Sequence, residues 1–457
     1  MEAQKQFNNE SAAAVLDTER RSIFESNINR YEQSFSEGVL QFSNFELARK
    51  RAGSIRHNAI QGLEKYLIDF EANFEKHGGK VIWAQDDTEA VVRIVEILKK
   101  RGVLHVVKSK SLLTDEIGLP EVLENEGIEY TETNPGEFIL RKSCEKSCHL
   151  SSPSIHKSVK DIAGTLKQNT LTATALNIQE FVRKELRIKI ETAEASIIGA
   201  NYLIADTGSV CISEDEGDAA LGSAIPKLQI VIAGIDKIIP SLINLDLFLP
   251  LFATADTGEC INAYNTILSG PRQDGETDGP VEMFVVLLDN RRSEVIAQKF
   301  QRSALSCIDC GACQNTCPVY SAIGGAAYAT TYTGPVGSIV TPWMKGFEEY
   351  IHLSYACALC GRCTQVCPVH INLHELILYN RNDAVRLKTY SLVESLTMGL
   401  WHQALKNRKW MDWSKIQWKN LAINKIYADK WGEDSKFPEV CRKNFKQLWE
   451  ERREGKN

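Results

Sequence analysis

The chain has 457 residues, more than one hydrophobic core usually organises, so its length predicts two or three domains. Hydrophobic residues make up 43% and charged residues 25%, with only 13 Pro and 29 Gly, which excludes collagen-like and low-complexity sequences. The formal net charge of −6 excludes a chain-wide basic field for nucleic acid, so we expect no nucleic-acid partner.

The charge is unevenly distributed. Residues 381–457 hold 17 Lys and Arg against 10 Asp and Glu, whereas residues 1–380 hold 36 against 49. The basic segment also carries six of the eight tryptophans: Trp401, Trp410, Trp413, Trp418, Trp431 and Trp449. Trp and Arg are favoured at protein interfaces, and Trp with Lys at lipid headgroups. The tail therefore predicts a docking surface for an acidic partner or for the anionic face of a membrane; the alternative is that these rings complete a helical core.

The pattern of apolar residues indicates a cytoplasmic protein. Residues 1–7 show neither the basic nor the apolar region of a secretory signal. The most apolar stretch, residues 228–255, contains Asp236, Lys237 and Pro240, which excludes an unbroken membrane helix. In the cytoplasm, clustered cysteines indicate metal or redox chemistry rather than structural disulfides.

The elements are predicted in chain order as follows. Residues 1 to about 78 have helical spacing; a strand at 81–84, a helix at 90–100 after Asp86, and a strand at 103–107 then form a βαβ pattern. Further predicted elements are a helix at 120–126, strands at 128–131 and 138–141, a long helix after Asn177, and strands at 202–205, 210–213, 228–233 and 283–288. A helical connector at 291–305 and helices after residue 373 complete the chain. This alternation predicts an α/β domain with a parallel sheet, followed by a helical region.

The sequence thus predicts four segments. They are an N-terminal helical segment (1–60), an α/β domain (61–300), an α-helical ferredoxin domain (301–380) and a basic, Trp-rich helical tail (381–457).

Two cysteine runs carry the clearest chemical signal. Residues 307–318 read CIDCGACQNTCP and residues 357–368 read CALCGRCTQVCP. Both match C-x2-C-x2-C-x3-C-P, the bacterial ferredoxin spacing for a [4Fe–4S] cluster. Structural zinc is the alternative, but zinc sites normally use two well-separated C-x2-C pairs. The runs therefore predict two [4Fe–4S] clusters, with helices in the long segment between them.

In this type of motif the fourth cysteine ligates the other cluster. The predicted ligands of the first cluster are Cys307, Cys310, Cys313 and Cys367; those of the second are Cys357, Cys360, Cys363 and Cys317.

The remaining cysteines and two acidic triplets carry weaker signals. Cys144, Cys148 and His149 have a spacing that suits a metal, although a plain loop is the stronger interpretation. Cys211, Cys260 and Cys441 are predicted to be packing residues. The sequence DTG, typical of aspartic proteases, occurs at residues 206–208 and 256–258. In an α/β context these triplets are predicted to form hairpin or strand-end turns with glycine at positive φ.

Several stretches resemble the lactate utilization protein B family. They are GKVIWA at 79–84, VKSKS at 107–111, GANYLIADTG at 199–208, GPR at 270–272 with DGP at 278–280, DN at 289–290, YTGPVG at 332–337 and FKQLW at 445–449. The resemblance implies a fold for the α/β domain like that of CoA transferases and sugar-phosphate isomerases. It also implies an iron–sulfur electron-transfer subunit of a complex that oxidises L-lactate to pyruvate, acting with sister subunits that include a cysteine-rich redox protein.

A second hypothesis makes the chain an enzyme in its own right. Its α/β domain would bind a phosphorylated or CoA-linked small molecule, with Lys108 and Lys110 contacting the anion and Asn201 and Asp206 supplying polar groups. Residues 107–111 lack the glycines of a P-loop, and no Rossmann G-x-G-x-x-G follows a strand. A structural scaffold with clusters as staples is the third hypothesis. Catalytic residues are not predicted.

Overall fold

A computed structural model describes residues 2–145, 147, 149–389, 392–406, 416–417, 420–421, 424, 440–443 and 445–454. The chain divides into two compact units, residues 1–386 and 387–457. The first contains both sheets and the two cysteine runs, and the described part of the second contains helices and no strand. In these described ranges no helix combines the length and apolar character needed to cross a membrane.

The described helices, numbered α1 to α22, are Glu2–Leu16, Thr18–Gly38, Phe45–Gln61, Leu63–Lys76, Asp87–Lys100, Leu112–Glu116, Leu119–Asn125, Pro135–Lys142, Val159–Thr165, Ala175–Thr192, Asp218–Ala224, Leu245–Asp256, Arg292–Ala297, Ala312–Asn315, Pro318–Ile323, Gly334–Lys345, Phe347–Tyr350, His352–Tyr355, Arg362–Val366, Leu373–Arg386, Leu392–Lys406 and Phe445–Arg453. Short 3-10 helices are Val39–Gln41, Ile235–Lys237, Leu242–Asn244, Gln301–Ser306 and Ala326–Tyr328. The strands, β1 to β10, are Lys80–Ala84, His105–Lys108, Glu129–Glu132, Ala195–Gly199, Tyr202–Ile204, Ser209–Glu214, Leu228–Gly234, Ile238–Ile239, Tyr264–Leu268 and Glu282–Leu288.

The larger sheet has six parallel strands in the order β1-β10-β7-β4-β2-β3. Its central strand β7 is buried along its whole length, because separate apolar cores cover the two faces of the sheet. Residues of opposite parity face those two cores, as Ile230 and Val231 do. Continuous apolar runs of this kind are typical of parallel sheets covered on both faces, and the predicted α/β class is confirmed.

The smaller sheet has the order β8-β5-β6-β9 and joins antiparallel and parallel pairs. The turn between β5 and β6 contains the first DTG triplet, with Gly208 at φ +64° as expected for a hairpin. The second triplet differs from the prediction. Gly258 has φ +87°, but its triplet ends helix α12 rather than a strand.

One predicted strand is wrong. Residues 138–141 belong to helix α8, although they contain the apolar run Phe-Ile-Leu. The Asn134 side chain accepts hydrogen bonds from the N–H groups of Gly136 and Glu137 at 3.0 and 3.3 Å, and Pro135 occupies the first helical position. Such a cap and a proline with helical φ start a helix, and a short apolar run fits either element.

The N-terminal helices pack on the region that carries the cysteines. Phe7 of α1 and Phe24 of α2 belong to one apolar cluster with Tyr320 and Leu353. The long segment between the cysteine runs is helical, as predicted, and spans α15 to α18.

The described tail contains α21 and α22. Trp401 and Trp449 are 55% and 51% exposed. Trp410, Trp413, Trp418 and Trp431 lie outside the described residues.

Candidate functional site

The two cysteine runs adopt the same backbone conformation. Asp309 and Leu359 have φ +57° and +53°, and Gly311 and Gly361 have φ +71° and +78°. The Asp309 N–H points to Cys307 Sγ at 3.4 Å, and the Leu359 N–H to Cys357 Sγ at 3.3 Å. N–H groups that point at sulfur stabilise the charge of a cluster-bound thiolate. The two runs therefore share a loop conformation in which a backbone N–H points at the sulfur of the first cysteine.

The first cysteine group consists of Cys307, Cys310, Cys313 and Cys367. All four line one small apolar cavity, together with Leu150, Val336 and other apolar residues. Three of the four are buried and Cys307 is half-buried. The Ile371 N–H points to Cys367 Sγ at 3.3 Å. A cysteine of the second run thus lies with three cysteines of the first.

The second cysteine group consists of Cys317, Cys357, Cys360 and Cys363. Burial raises the pKa of the Cys317 thiol, and the nearby Cys357 and Cys360 raise it further. Burial likewise raises the pKa of Cys363, which lies near Cys317, Cys357 and Cys360. Cys360 is exposed, Cys317 and Cys357 are half-buried, and Cys363 is buried. This group lies nearer the surface than the first.

The donor set fits iron. Burial raises the pKa of the Cys310 and Cys313 thiols well above the usual value, and the neighbouring cysteines raise it further. Buried thiolates therefore need a positive partner, which cluster iron supplies when it binds. Four cysteines around one apolar cavity match the ligand requirement of a [4Fe–4S] cluster.

Buried cations hold the carbonyl groups next to the first cysteine group. Arg49 Nε donates to Cys367 O at 2.7 Å, and Arg56 donates to Ser306 O and Leu305 O at 3.2 and 3.0 Å. Lys237 Nζ donates to Cys307 O at 3.2 Å and pairs with Asp309 at 2.6 Å. Burial opposes the charge of Lys237, but Asp309 and Asp236 outweigh it and raise its pKa. Sequence reasoning missed these residues because their contacts are distant in the chain.

A buried ion-pair network joins the α/β region to the cysteine region. Arg292 contacts Glu116 at 2.9 and 2.8 Å and Asp236 at 2.7 Å. Tyr332 donates to Glu116 at 2.6 Å. Burial by itself would raise the pKa of Glu116, but Arg292 and Tyr332 outweigh it and hold that pKa below its usual value.

A cavity of about 420 Å³ lies beside this network. We call it the acidic cavity, because its described lining includes seven carboxylate residues and two lysines: Glu214, Asp215, Glu216, Asp218, Asp256, Glu259, Asp309, Lys110 and Lys237. Lys237 and Asp309 belong both to this lining and to the surroundings of Cys307. The acidic cavity therefore adjoins the first cysteine group.

The structure brings together two of the four predicted pocket residues. Lys110 and Asn201 line the acidic cavity. Lys108 is fully buried and paired with Glu132 at 2.9 Å and Glu137 at 3.5 Å, so its charge is used within the protein. Asp206 lies at the turn after β5, where it accepts a hydrogen bond from the Leu242 N–H at 3.0 Å.

Sequence reasoning interpreted Asp256 only as a turn residue and did not single out residues 214–218. The run EDEGD at 214–218 was the available signal. Burial raises the pKa of Asp256 to about 6, although Lys110 opposes that rise.

The remaining cysteines differ in placement. Cys211 is buried in a core cluster, as predicted for a packing residue, whereas Cys260 and Cys441 are exposed, so that prediction is wrong for them. Cys144 is exposed, and Cys148 lies outside the described residues.

Both ring nitrogens of His149 are engaged. Nε2 lies 2.8 Å from Asn315 Oδ1, and Nδ1 accepts from the Ser151 N–H at 3.2 Å. A Cβ at Gly311 would lie 3.0 Å from the ring, so glycine there permits the close approach. His149 therefore packs beside the first cysteine loop, with neither nitrogen left for a metal.

This histidine predicts a pH-dependent stability. Burial, with the charge of Lys110, lowers the pKa of His149 to about 4, against about 6.5 in an unfolded chain. Between pH 6.5 and pH 4 the unfolded state binds a proton at His149 and the folded state does not. The free energy of unfolding therefore falls as the pH falls towards 4. We expect His149 to account for about 2 kcal/mol of stability lost between pH 7 and pH 5.

The measurement is urea unfolding of the anaerobic holoprotein at both pH values. His149→Gln should lose less stability on acidification than the wild type, whereas a matched change at the exposed His57, His57→Gln, should behave as the wild type. An equal acid sensitivity of wild type and His149→Gln would contradict the assignment.

Two family models match the chain: a LUD domain over residues 67–288 and a 4Fe-4S dicluster domain over residues 303–371. A lactate utilization protein B of Bacillus cereus is 36% identical over 400 residues, which cover 87% of this chain and 84% of that protein. The chain belongs to the lactate utilization protein B family. The protein of the same name from Bacillus velezensis is 39% identical over 349 residues, covering 76% of this chain and 73% of that protein.

The crystal structure of a DUF162 family protein from Deinococcus radiodurans aligns with 50% of this chain and 98% of that chain, at 15% identity and a TM-score of 0.29. The matched models confirm the predicted order of an α/β domain followed by an iron–sulfur module, and the α/β domain is a LUD domain. The implied likeness to CoA transferases and sugar-phosphate isomerases stays a prediction.

Proposed function

We propose that this chain is the iron–sulfur electron-transfer subunit of a complex that oxidises L-lactate to pyruvate. The observation that carries the proposal is the pair of cysteine groups, each with four sulfur atoms, in a chain whose relatives are named lactate utilization protein B. The clusters bound there would carry single electrons.

The cysteine placement supports two clusters with exchanged ligands. Cys367 lies in the same cavity as Cys307, Cys310 and Cys313. Cys317 lies with the second run. We propose that the first group holds one [4Fe–4S] cluster and the second group another.

Burial suggests the order of the electron path. The first group is buried beside the acidic cavity of the LUD domain, and the second includes the exposed Cys360. Electron transfer between proteins needs a cluster near the surface. We therefore propose that the second cluster faces a partner and that the first cluster is the inner member of the electron path.

The partners are proposed to be sister subunits, including a cysteine-rich redox protein, in the cytoplasm. The basic tail is the proposed docking surface for a sister subunit or for an anionic membrane face. The half-exposed rings of Trp401 and Trp449 support this role, because tryptophan is favoured in both settings.

Lactate oxidation removes two electrons at one carbon, whereas a cubane cluster passes them singly. We therefore propose that the chemical step takes place on a sister subunit. The purified single chain is expected not to reduce a dye acceptor with lactate, and activity is expected to appear on reconstitution with its sister subunits. Steady lactate-dependent dye reduction by the single chain would contradict this and favour an enzyme.

Spectroscopy separates an electron carrier from a scaffold. Dithionite should bleach the brown holoprotein reversibly, and the reduced protein should pass its electrons to the cysteine-rich sister subunit in a stopped-flow mixing experiment. Clusters that resist reduction at physiological potentials would indicate the scaffold.

The acidic cavity bears on the alternative, an enzyme acting on a phosphorylated or CoA-linked molecule. Lys110 and Asn201 line it, which favours a bound polar ligand, but its carboxylates outnumber its lysines seven to two in the described lining. Such a field repels phosphate, so the electron-transfer role is the better supported one.

A further inference from the structure

Three carboxylates converge on the wall of the acidic cavity. One oxygen each of Glu214, Glu216 and Asp218 lies within 4.8 Å of the others. Glu214 ends strand β6 and Asp218 begins helix α11, so a tight turn brings them together. None of the three has a Lys or Arg nitrogen within 4.0 Å among the described ion pairs.

Neutral donors hold these carboxylates in place. Glu214 accepts from the N–H groups of Ala219 and Ala220 at 3.1 and 2.8 Å. Thr133 donates to Asp218 at 2.6 Å, and Asn134 donates to Glu216 at 3.0 Å. These bonds fix the geometry without cancelling the charge.

The electrostatic cost of the arrangement is evident at Asp218. Burial, and then the charge of Glu214, raise the pKa of Asp218 well above its usual value. Carboxyl groups this close in a partly buried site either hold a proton between them, as the raised pKa of Asp218 indicates, or bind a cation that relieves the repulsion of their charges.

A second observation is independent of the acidic cluster. Asn262 is 3% exposed and lines the same cavity, yet its Oδ1 has no hydrogen-bond partner. Its segment lies against the cluster, because the Ala263 N–H donates to Asp215 at 2.8 Å and Tyr264 pairs with Glu214 in the sheet. Asp256 of the same lining also has an unpartnered oxygen. Buried acceptors without a donor are costly, and a bound cation would satisfy them.

We propose that Glu214, Glu216 and Asp218 bind a divalent cation in the acidic cavity, with Asn262 as a further oxygen donor. Carboxylate and amide oxygens are the ligands that Mg²⁺, Ca²⁺ and Mn²⁺ prefer, whereas iron–sulfur chemistry uses the cysteine groups. The site is thus separate from both cysteine groups and does not depend on the proposed lactate role.

Mn²⁺ is the probe for this site. Free Mn²⁺ gives a six-line EPR spectrum at room temperature that is lost on binding, and oxidised [4Fe–4S] clusters give no signal there. Titration of the oxidised holoprotein is expected to show one Mn²⁺ per chain, displaced by Mg²⁺ or Ca²⁺. Asp218→Asn and Glu214→Gln are each expected to weaken binding by at least about 10-fold.

The matched control is Glu259→Gln, which removes a charge from the same cavity wall outside the three-residue cluster. It should bind Mn²⁺ as the wild type does. If Asp218→Asn or Glu214→Gln loses its visible spectrum or melts early, Glu216→Gln replaces it in the titration, because Glu216 is exposed. Absence of binding in the wild type, or an equal loss in Glu259→Gln and the cluster variants, would overturn the proposal.

Discussion

Cys317→Ser is expected to alter the cluster of the second cysteine run and to leave that of the first run intact. The reason is the position of Cys317. Its thiol lies near Cys357 and Cys360 of the second run, although Cys317 belongs to the first run. Cys367→Ser should have the reciprocal effect, because Cys367 shares a cavity with Cys307, Cys310 and Cys313.

The measurement combines metal analysis with EPR of the dithionite-reduced protein. The wild type should contain about eight iron and eight sulfide per chain, and each variant about four if its altered cluster is lost. Cys260→Ser, at an exposed cysteine outside both groups, is the control and should keep all the iron. If Cys317→Ser disturbed only the cluster at Cys307, Cys310 and Cys313, the exchange of ligands would be refuted.

Arg292→Met is expected to destabilise the folded chain by about 3–5 kcal/mol. The substitution leaves the carboxylate of Glu116 buried without its cation, while Asp236 keeps Lys237 at 3.3 Å. An unpaired buried charge costs far more than a broken surface pair. Thermal unfolding of the anaerobic holoprotein, followed by far-UV circular dichroism, should show a midpoint lower by several degrees.

The neighbouring residue supplies the control. Arg291 is exposed and pairs with Glu294 at 3.7 Å, so Arg291→Met should change the midpoint little. The double variant Arg292→Met with Glu116→Gln should recover part of the lost stability, because it removes the carboxylate charge that has lost its partner. Equal effects of Arg291→Met and Arg292→Met would show that the network does not stabilise the fold.

The network and a shared apolar core both join the LUD domain to the iron–sulfur module. Arg292 follows the last strand of the large sheet, Glu116 lies in helix α6, and Tyr332 comes from the region between the cysteine runs. Lys237 extends these contacts to Cys307. The acidic cavity and the surroundings of the first cysteine group therefore share Lys237 and Asp309.

The local features of this protein could be read from the sequence. The cysteine spacing depends on residues at most eleven positions apart, and the loops with Gly311 and Gly361 at positive φ follow that spacing. The strands near residues 81, 228 and 283 were predicted because continuous apolar runs reflect burial on both faces. The strand predicted at residues 138–141 was wrong because the deciding signal was the cap at Asn134, while the apolar run suited both elements.

Only the tertiary structure decided which residues share a site. Lys108 and Lys110 are two positions apart, yet Lys108 is buried against Glu132 and Lys110 lines the acidic cavity. Asp256 reaches the same cavity from the end of helix α12, and Asn262 from the segment before β9. The order of the strands brings such distant segments together, and periodicity within one segment carries no information about that order. The two cysteine groups were predicted from the spacing within each run, and their ligation stays a prediction. The acidic cavity exists only where separate elements meet, so no single segment indicates it.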